Sequence, residues 1–175
     1  MDFLDSDYSA PQLGGNYAKL QDGVNKLRIL SKPVLGWVGW TAGKPERFTF
    51  KNKPNRLFDQ GKAARHFWAM IVYNYNDNAV QVLEITQAMI QKAIQDLTKT
   101  DDWKNPYEYD LTITKTGVEK NTKYTVQPSR PKPLTEEVKK AALDKPIYLD
   151  ALFVGADPFA VTDKSTELAF TNLPF

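Results

Sequence analysis

Polar and apolar residues alternate along several short segments of this chain, and each such segment predicts a β-strand. In residues 25–30, Leu27 and Ile29 are expected to face a core. Lys26 and Arg28 then point outward on the opposite face. Six further segments have strand-like patterns: 34–40, 46–50, 65–75, 79–85, 107–115 and 122–127. In the longest of these both alternating sets are apolar, so both faces of that strand need cover.

Helical patterns are found in two segments. Residues 87–98 follow an expected N-cap at Thr86. Their apolar residues recur on a single face, at Ile90, Ala93, Ile94 and Leu97. A second helix is predicted at 135–143, because Glu136 and Glu137 lie in its first turn, where negative charge favours the helix dipole.

The order of these elements predicts a mainly β fold with a minor α component. With 175 residues the chain is expected to form one compact body. Strands interrupted by one helix and closed by a terminal hairpin are typical of an OB-type fold, here a five-stranded barrel. We therefore expect a flexible acidic arm at 1–16, an OB-type nucleic-acid-binding domain at 17–133, and a C-terminal helix with an acidic tail at 134–175.

Composition excludes several kinds of site. The chain has no cysteine and one histidine, so disulfides, thiol nucleophiles, iron–sulfur clusters and Cys-ligated zinc are ruled out. No cofactor is expected. The first residues carry Asp2, Asp5 and Asp7 without a basic residue, and no apolar stretch approaches the ~20 residues of a membrane span. These features predict a cytoplasmic protein that does not enter a membrane.

The net charge of +2 hides a strong segregation of charge along the chain. Residues 16–132 hold 19 Lys and Arg against 11 Asp and Glu. The flanking segments 1–15 and 133–175 each carry an excess of three acids. The most basic stretch is 44–65, with seven Lys and Arg against two acids. A positive body with acidic ends predicts a polyanion-binding surface, although a solvated charged loop is the alternative for the basic stretch alone.

Aromatic residues are interleaved with these cations along the first four predicted strands. Outward aromatic rings stack unpaired bases, and neighbouring cations neutralise phosphates, as single-stranded nucleic acid requires. Trp37 and Trp40 are three residues apart, so a regular strand places them on opposite faces, whereas Trp68 is assigned to the core. The predicted stacking surfaces are Trp37, Trp40, Phe48, Phe67 and Tyr73, and the predicted phosphate contacts are Arg28, Lys44, Arg47, Arg56, Lys62 and Arg65.

Residues for catalysis are few, and no enzyme activity is predicted. His66 precedes Phe67 in a predicted strand and is expected to be structural or to face a phosphate. Phosphate-cradling glycine motifs are absent from the sequence. A metal-dependent nuclease would have to assemble its site from Asp59, Asp101, Asp102 and Asp110. A protein-interaction module that docks an acidic partner on the basic stretch is the other alternative.

Five stretches carry a family resemblance: 26–30 with Gly36 and Trp37, 65–69, 83–87, 109–113 and 123–126. Together they resemble the single-stranded DNA-binding proteins of tailed bacteriophages over about residues 17–135. The resemblance implies an OB fold, sequence-independent coating of single-stranded DNA in replication or recombination, and no catalysis. Self-association on DNA is a separate expectation. A phage origin would place the protein in the bacterial host cytoplasm.

The C-terminal segment leaves three roles open. By the same resemblance, its end at Leu173, Pro174 and Phe175 is similar to the acidic Pro-Phe tails through which bacterial single-strand binders recruit replication or recombination proteins. An acidic tail is also expected to compete weakly with DNA for the basic groove. Alternatively, the chain from Thr135 onward packs on the body, with Leu149, Leu152 and Phe153 buried.

Overall fold

The computed structural model describes residues 14–160 and 173–175, so most of the predicted N-terminal arm and part of the predicted tail lie outside the described residues. Seven strands and two α-helices are connected by short loops and 3-10 turns. The strands are β1 (Gly23–Ile29), β2 (Val34–Thr41), β3 (Lys44–Thr49), β4 (Arg65–Asn74), β5 (Ala79–Ile85), β6 (Asp110–Thr116) and β7 (Lys123–Pro128). The helices are α1 (Ala88–Leu97) and α2 (Glu136–Asp144).

The strands form one antiparallel sheet in the order β3-β2-β4-β1-β6-β7, with β5 on the other edge of β4. Strand β4 is long enough to pair with β2 through residues 65–69 and with β1 through residues 72–74. The mainly β prediction is therefore confirmed. Within residues 14–160 no ladder joins β5 to β7, so the sheet is open and a closed five-stranded barrel is not confirmed.

Both faces of the central strand β4 are covered, as its two apolar sets indicate. Met70 and Val72 pack on one face with residues of β5, β6 and α1. Ile71 and Tyr73 pack on the other face against α2 and the 3-10 helix Leu149–Val154. We call α2 and this 3-10 helix the C-terminal cover.

The C-terminal cover is part of the core. Leu149 and Leu152 are buried, and Phe153 is half-buried with its ring centroid 5.9 Å from that of Phe67. Their burial agrees with the expectation that the chain from Thr135 onward packs on the body. The core therefore continues across the predicted boundary between residues 133 and 134.

The helix starts differ in how well the sequence predicts them. Thr135 is the N-cap of α2, and its side chain accepts a hydrogen bond from the Val138 amide. Helix α1 begins one residue later than predicted. Its N-cap is Gln87, whose side chain makes no capping bond, so the prediction of Thr86 as the cap is wrong. No helix among the described residues has the length and apolarity needed to cross a membrane.

Candidate nucleic-acid interface

Three aromatic side chains lie side by side at one end of the sheet. In the strand register Trp37 of β2 is opposite Phe48 of β3 and also opposite His66 of β4. Residues directly opposite in a sheet share a face, so these three rings lie on one face across three strands, and the ring centroids of Trp37 and His66 are 5.2 Å apart. All three side chains are partly exposed. We call Phe48, Trp37 and His66 the aromatic row.

Hydrogen bonds fix the ring of His66 within the row. The indole Nε1 of Trp68 donates to His66 Nε2 at 3.3 Å, and His66 Nδ1 lies 2.8 Å from the Gly36 carbonyl oxygen. An indole nitrogen can only donate, so His66 Nε2 accepts and the proton is on Nδ1. His66 is thus held in place in the aromatic row by its contacts with Trp68 and Gly36.

The loop after β3 extends the row with another ring. Phe50 is 53% exposed, and its ring stacks on Trp37 with a centroid distance of 5.9 Å and an interplanar angle of 14°. It also lies 5.3 Å from the ring of His66. The indole Nε1 of Trp37 donates to the Phe50 carbonyl oxygen at 3.0 Å, which ties the loop to the strand.

Cations lie against these rings. The Lys53 amine is 4.4 Å from the centroid of Trp37. The Arg56 guanidinium is 4.1 Å from the centroid of Phe58, and it also pairs with Glu46. Lys44 and Lys62 are exposed, and neither has an ion-pair partner among the described residues. The row therefore combines flat rings with positive charge, the two properties that single-stranded nucleic acid requires.

The remaining predicted site residues on this part of the sheet do not face the row. Arg47 and Arg65 lie opposite Val38, one position from Trp37, and so occupy the other face. Arg47 donates to Glu84 Oε2 from Nε at 3.1 Å and from Nη2 at 2.7 Å. Trp40 is 51% exposed and shares the face of Val38. These residues are not brought together with the aromatic row.

Three predictions of outward-facing site residues are wrong, because the C-terminal cover and neighbouring loops bury that face of the sheet. Phe67 and Tyr73 belong to the core beneath the cover, with exposures of 0% and 5%. Arg28 is 1% exposed. Its guanidinium donates to the carbonyl oxygens of Tyr107 and Lys132 and to the carboxylate of Asp110.

The acidic residues that a metal-dependent nuclease would use either have structural partners or lie apart from one another. Asp59 accepts hydrogen bonds from the backbone amides of Ala42 and Gly43. Asp110 is buried among cations. Burial raises the pKa of its carboxyl, but hydrogen bonds from Lys132, Tyr75 and Arg28 outweigh this and hold the pKa below its ordinary value. Among the described residues, no three His, Asp or Glu side chains are grouped as a metal site would require.

Four residues of this surface were absent from the sequence-based site: Phe50, Phe58, His66 and Lys53. Lys53 and Phe58 lie between β3 and β4, where the position of the chain in space depends on tertiary contacts. His66 could be found only from the register between β2 and β4, which places it beside Trp37.

No known family, curated protein or solved structure matches this chain in the comparisons.

Proposed function

We propose that this protein binds single-stranded DNA without sequence preference, with bases stacking on the aromatic row and on Phe50. The observation that carries the proposal is the row itself: rings from three adjacent strands on one face, with the Lys53 amine over the ring of Trp37. Base faces are accessible only where bases are unpaired, so such a surface favours single strands over a duplex. Each stacked base contributes about 1–3 kcal/mol whatever its identity.

The sheet order supports an OB-type fold as part of this proposal. Strands β5-β4-β1-β6-β7 have the neighbours of an OB barrel opened between its third and fifth strands, with the helix between the third and fourth. In OB folds the face of the second and third strands and the loop after the first strand bind oligonucleotides. Here the outer face of β4 and β5 lies under the C-terminal cover, and the hairpin β2–β3 stands in place of the loop after the first strand.

The biological role that we propose is to coat single-stranded DNA in phage replication or recombination, in the host cytoplasm. The resemblance of residues 17–135 to phage single-strand binders and the excess positive charge of residues 16–132 support it. Self-association on DNA and recruitment of partner proteins through the tail belong to the same proposal. No catalytic step is part of it.

The test is an equilibrium titration of labelled oligo-dT, single-stranded mixed sequence and duplex DNA, followed by fluorescence anisotropy. We expect single strands of either composition to bind with similar affinity and more tightly than the duplex. Replacing Trp37 by Ala should weaken single-strand binding by about 1–3 kcal/mol. Tyr17→Ala is the matched control, because Tyr17 is an aromatic residue at the β5 edge that is 41% exposed. This substitution should change the affinity for single strands little. Unchanged affinity in a folded Trp37→Ala variant would contradict the proposed site.

A further inference from the structure

A cavity of about 430 Å³ opens where β2 ends and β4 begins, beside the aromatic row but not on it. Trp40 and Phe58 are among the residues that line it, together with the cationic residues Lys62 and Arg65. We call this cavity the side pocket. Trp40 and Trp37 are on opposite faces of β2, so the aromatic row and the side pocket use different indole rings.

The walls of the side pocket are fixed by close packing and hydrogen bonds. The ring of Phe58 lies on Gly39, where a Cβ would come within 2.4 Å of it, so only glycine allows this contact. The Phe58 amide donates to the Lys62 carbonyl at 2.7 Å. Asp59 accepts from the amides of the β2–β3 turn at 3.0 and 2.9 Å. The pocket is therefore formed before any ligand binds.

The carboxylates around the side pocket have close partners, whereas the cations have few. Its two carboxylates are already engaged, because Glu84 binds the guanidinium of Arg47 and Asp59 binds two backbone amides. Lys62 has no ion-pair partner among the described residues. The side chain of Arg65 makes one contact, a 3.4 Å hydrogen bond to the Thr86 carbonyl. Two cations are thus free to bind an anion at the mouth of an aromatic cavity.

We propose that the side pocket binds one nucleotide, with its phosphate between Lys62 and Arg65 and its base against the indole of Trp40. The proposal rests on the proposed function and adds a subsite to it. A guanidinium and an amine are suited to phosphate oxygens, and a flat exposed indole is suited to a base. Phe58 links the two surfaces, since its ring centroid is 6.0 Å from that of Phe48 in the row. Phe58 is only 8% exposed, so its buried ring is a wall shared by the row and the side pocket.

The first experiment titrates the full-length protein with thymidine 5′-monophosphate and with thymidine, observed by NMR at the Trp40 indole. We expect the monophosphate to bind at least about tenfold more tightly than thymidine, because hydrogen bonds between charged groups and the phosphate are lost with thymidine. The double variant Lys62→Gln, Arg65→Gln should abolish that preference. Lys92→Gln, on the exposed surface of α1, should leave it unchanged.

The second experiment distinguishes a terminal phosphate from an internal phosphodiester. Oligo-dT carrying a 5′-phosphate, a 3′-phosphate or neither is titrated against the wild type and the double variant. A loss of affinity confined to one phosphorylated oligonucleotide assigns the side pocket to that strand end, and an equal loss for all three assigns it to the chain interior.

Two results would overturn the proposal. One is equal binding of thymidine and its monophosphate at Trp40, and the other is a folded double variant with undiminished affinity for every oligonucleotide. Failure of the proposed function has a different signature. In that case the monophosphate binds at Trp40, but long single strands do not bind and Trp37→Ala has no effect.

Discussion

Arg28 and Asp110 lie directly opposite each other on β1 and β6, and their side chains form an ion pair with Nη1 3.3 Å from Oδ1. Both side chains are almost fully buried, and Lys132 adds a second contact at 3.0 Å. A buried charge is tolerated only when its partners remain, so this pair is a structural element of the sheet.

Replacing Arg28 by Leu should destabilise the fold by about 3–5 kcal/mol, because Asp110 would lose a buried partner. Urea denaturation followed by circular dichroism measures the change. Lys92→Leu is the control, since Lys92 pairs with Asp96 on the exposed surface of α1 and should matter little. A stable Arg28→Leu variant with weakened DNA binding would instead indicate that Arg28 contacts DNA.

Stability should also fall in acid through Asp110. Its pKa is lower in the folded protein than in the unfolded chain, so its carboxylate stabilises the fold above the unfolded pKa of about 3.9. That stabilisation is lost as the pH falls toward and through the lowered pKa. The free energy of unfolding, measured from pH 6 to pH 2.5, should decline less steeply in Asp110→Asn than in the wild type. Parallel pH profiles for the two proteins would exclude Asp110 as a source of acid sensitivity.

The salt dependence of DNA binding should identify the cations that contact phosphate. Each phosphate contact on a single strand contributes about −0.7 to the slope of log K against log salt. Replacing Lys53 and Lys62 by Gln should therefore flatten the slope by up to about 1.4. Arg47→Gln should have a smaller effect on the slope, because its guanidinium is bound to Glu84 on the other face of the sheet. A larger effect from Arg47→Gln than from the two lysine substitutions would show that Arg47, rather than Lys53 and Lys62, contacts phosphate.

Two C-terminal deletions should behave differently. Removing residues 147–175 takes away Ile147, Leu149 and Leu152, which are buried on the sheet, and each such side chain contributes about 1.5–3 kcal/mol. We expect a clear drop in melting temperature.

Removing residues 161–175 spares these contacts and should leave the melting temperature nearly unchanged. Any competition between the acidic end and DNA should appear in this shorter deletion as a few-fold gain in affinity, greatest at low salt. A longer deletion that melts like the wild type and binds DNA more tightly would show that the cover is an inhibitory tail.

Local patterns were sufficient to predict the seven strands and two helices, because alternation, apolar stripes and turn residues are properties of neighbouring positions. They could not predict which face of a strand is covered. The alternation in 25–30 placed Arg28 outside, but the buried carboxylate that pairs with it is 82 residues away. Likewise, the strand patterns place Phe67 and Tyr73 at the surface, whereas the C-terminal cover, which is distant in sequence, buries them.

The candidate site was predictable in part for the same reason. Trp37 and Phe48 could be identified from their place in a basic, aromatic-rich region. The contribution of His66 depends on the pairing of β2 with β4, and that of Phe50 on a stack formed after the chain leaves β3. Neither relationship has a signature within one segment.

Gly36 separates the aromatic row from the C-terminal cover by one thickness of backbone. The Gly36 carbonyl holds His66 in the row, while a Cβ at this position would come within 2.8 Å of Phe153 and 2.9 Å of Phe67 beneath it. The conformation of the surface proposed to contact DNA thus depends on the packing of the opposite, buried face of the sheet. Substitutions in residues 149–154 are expected to alter DNA affinity, although none of these residues lies on the row. The hairpin β2–β3 would not keep its binding properties if it were grafted onto another protein without the C-terminal cover.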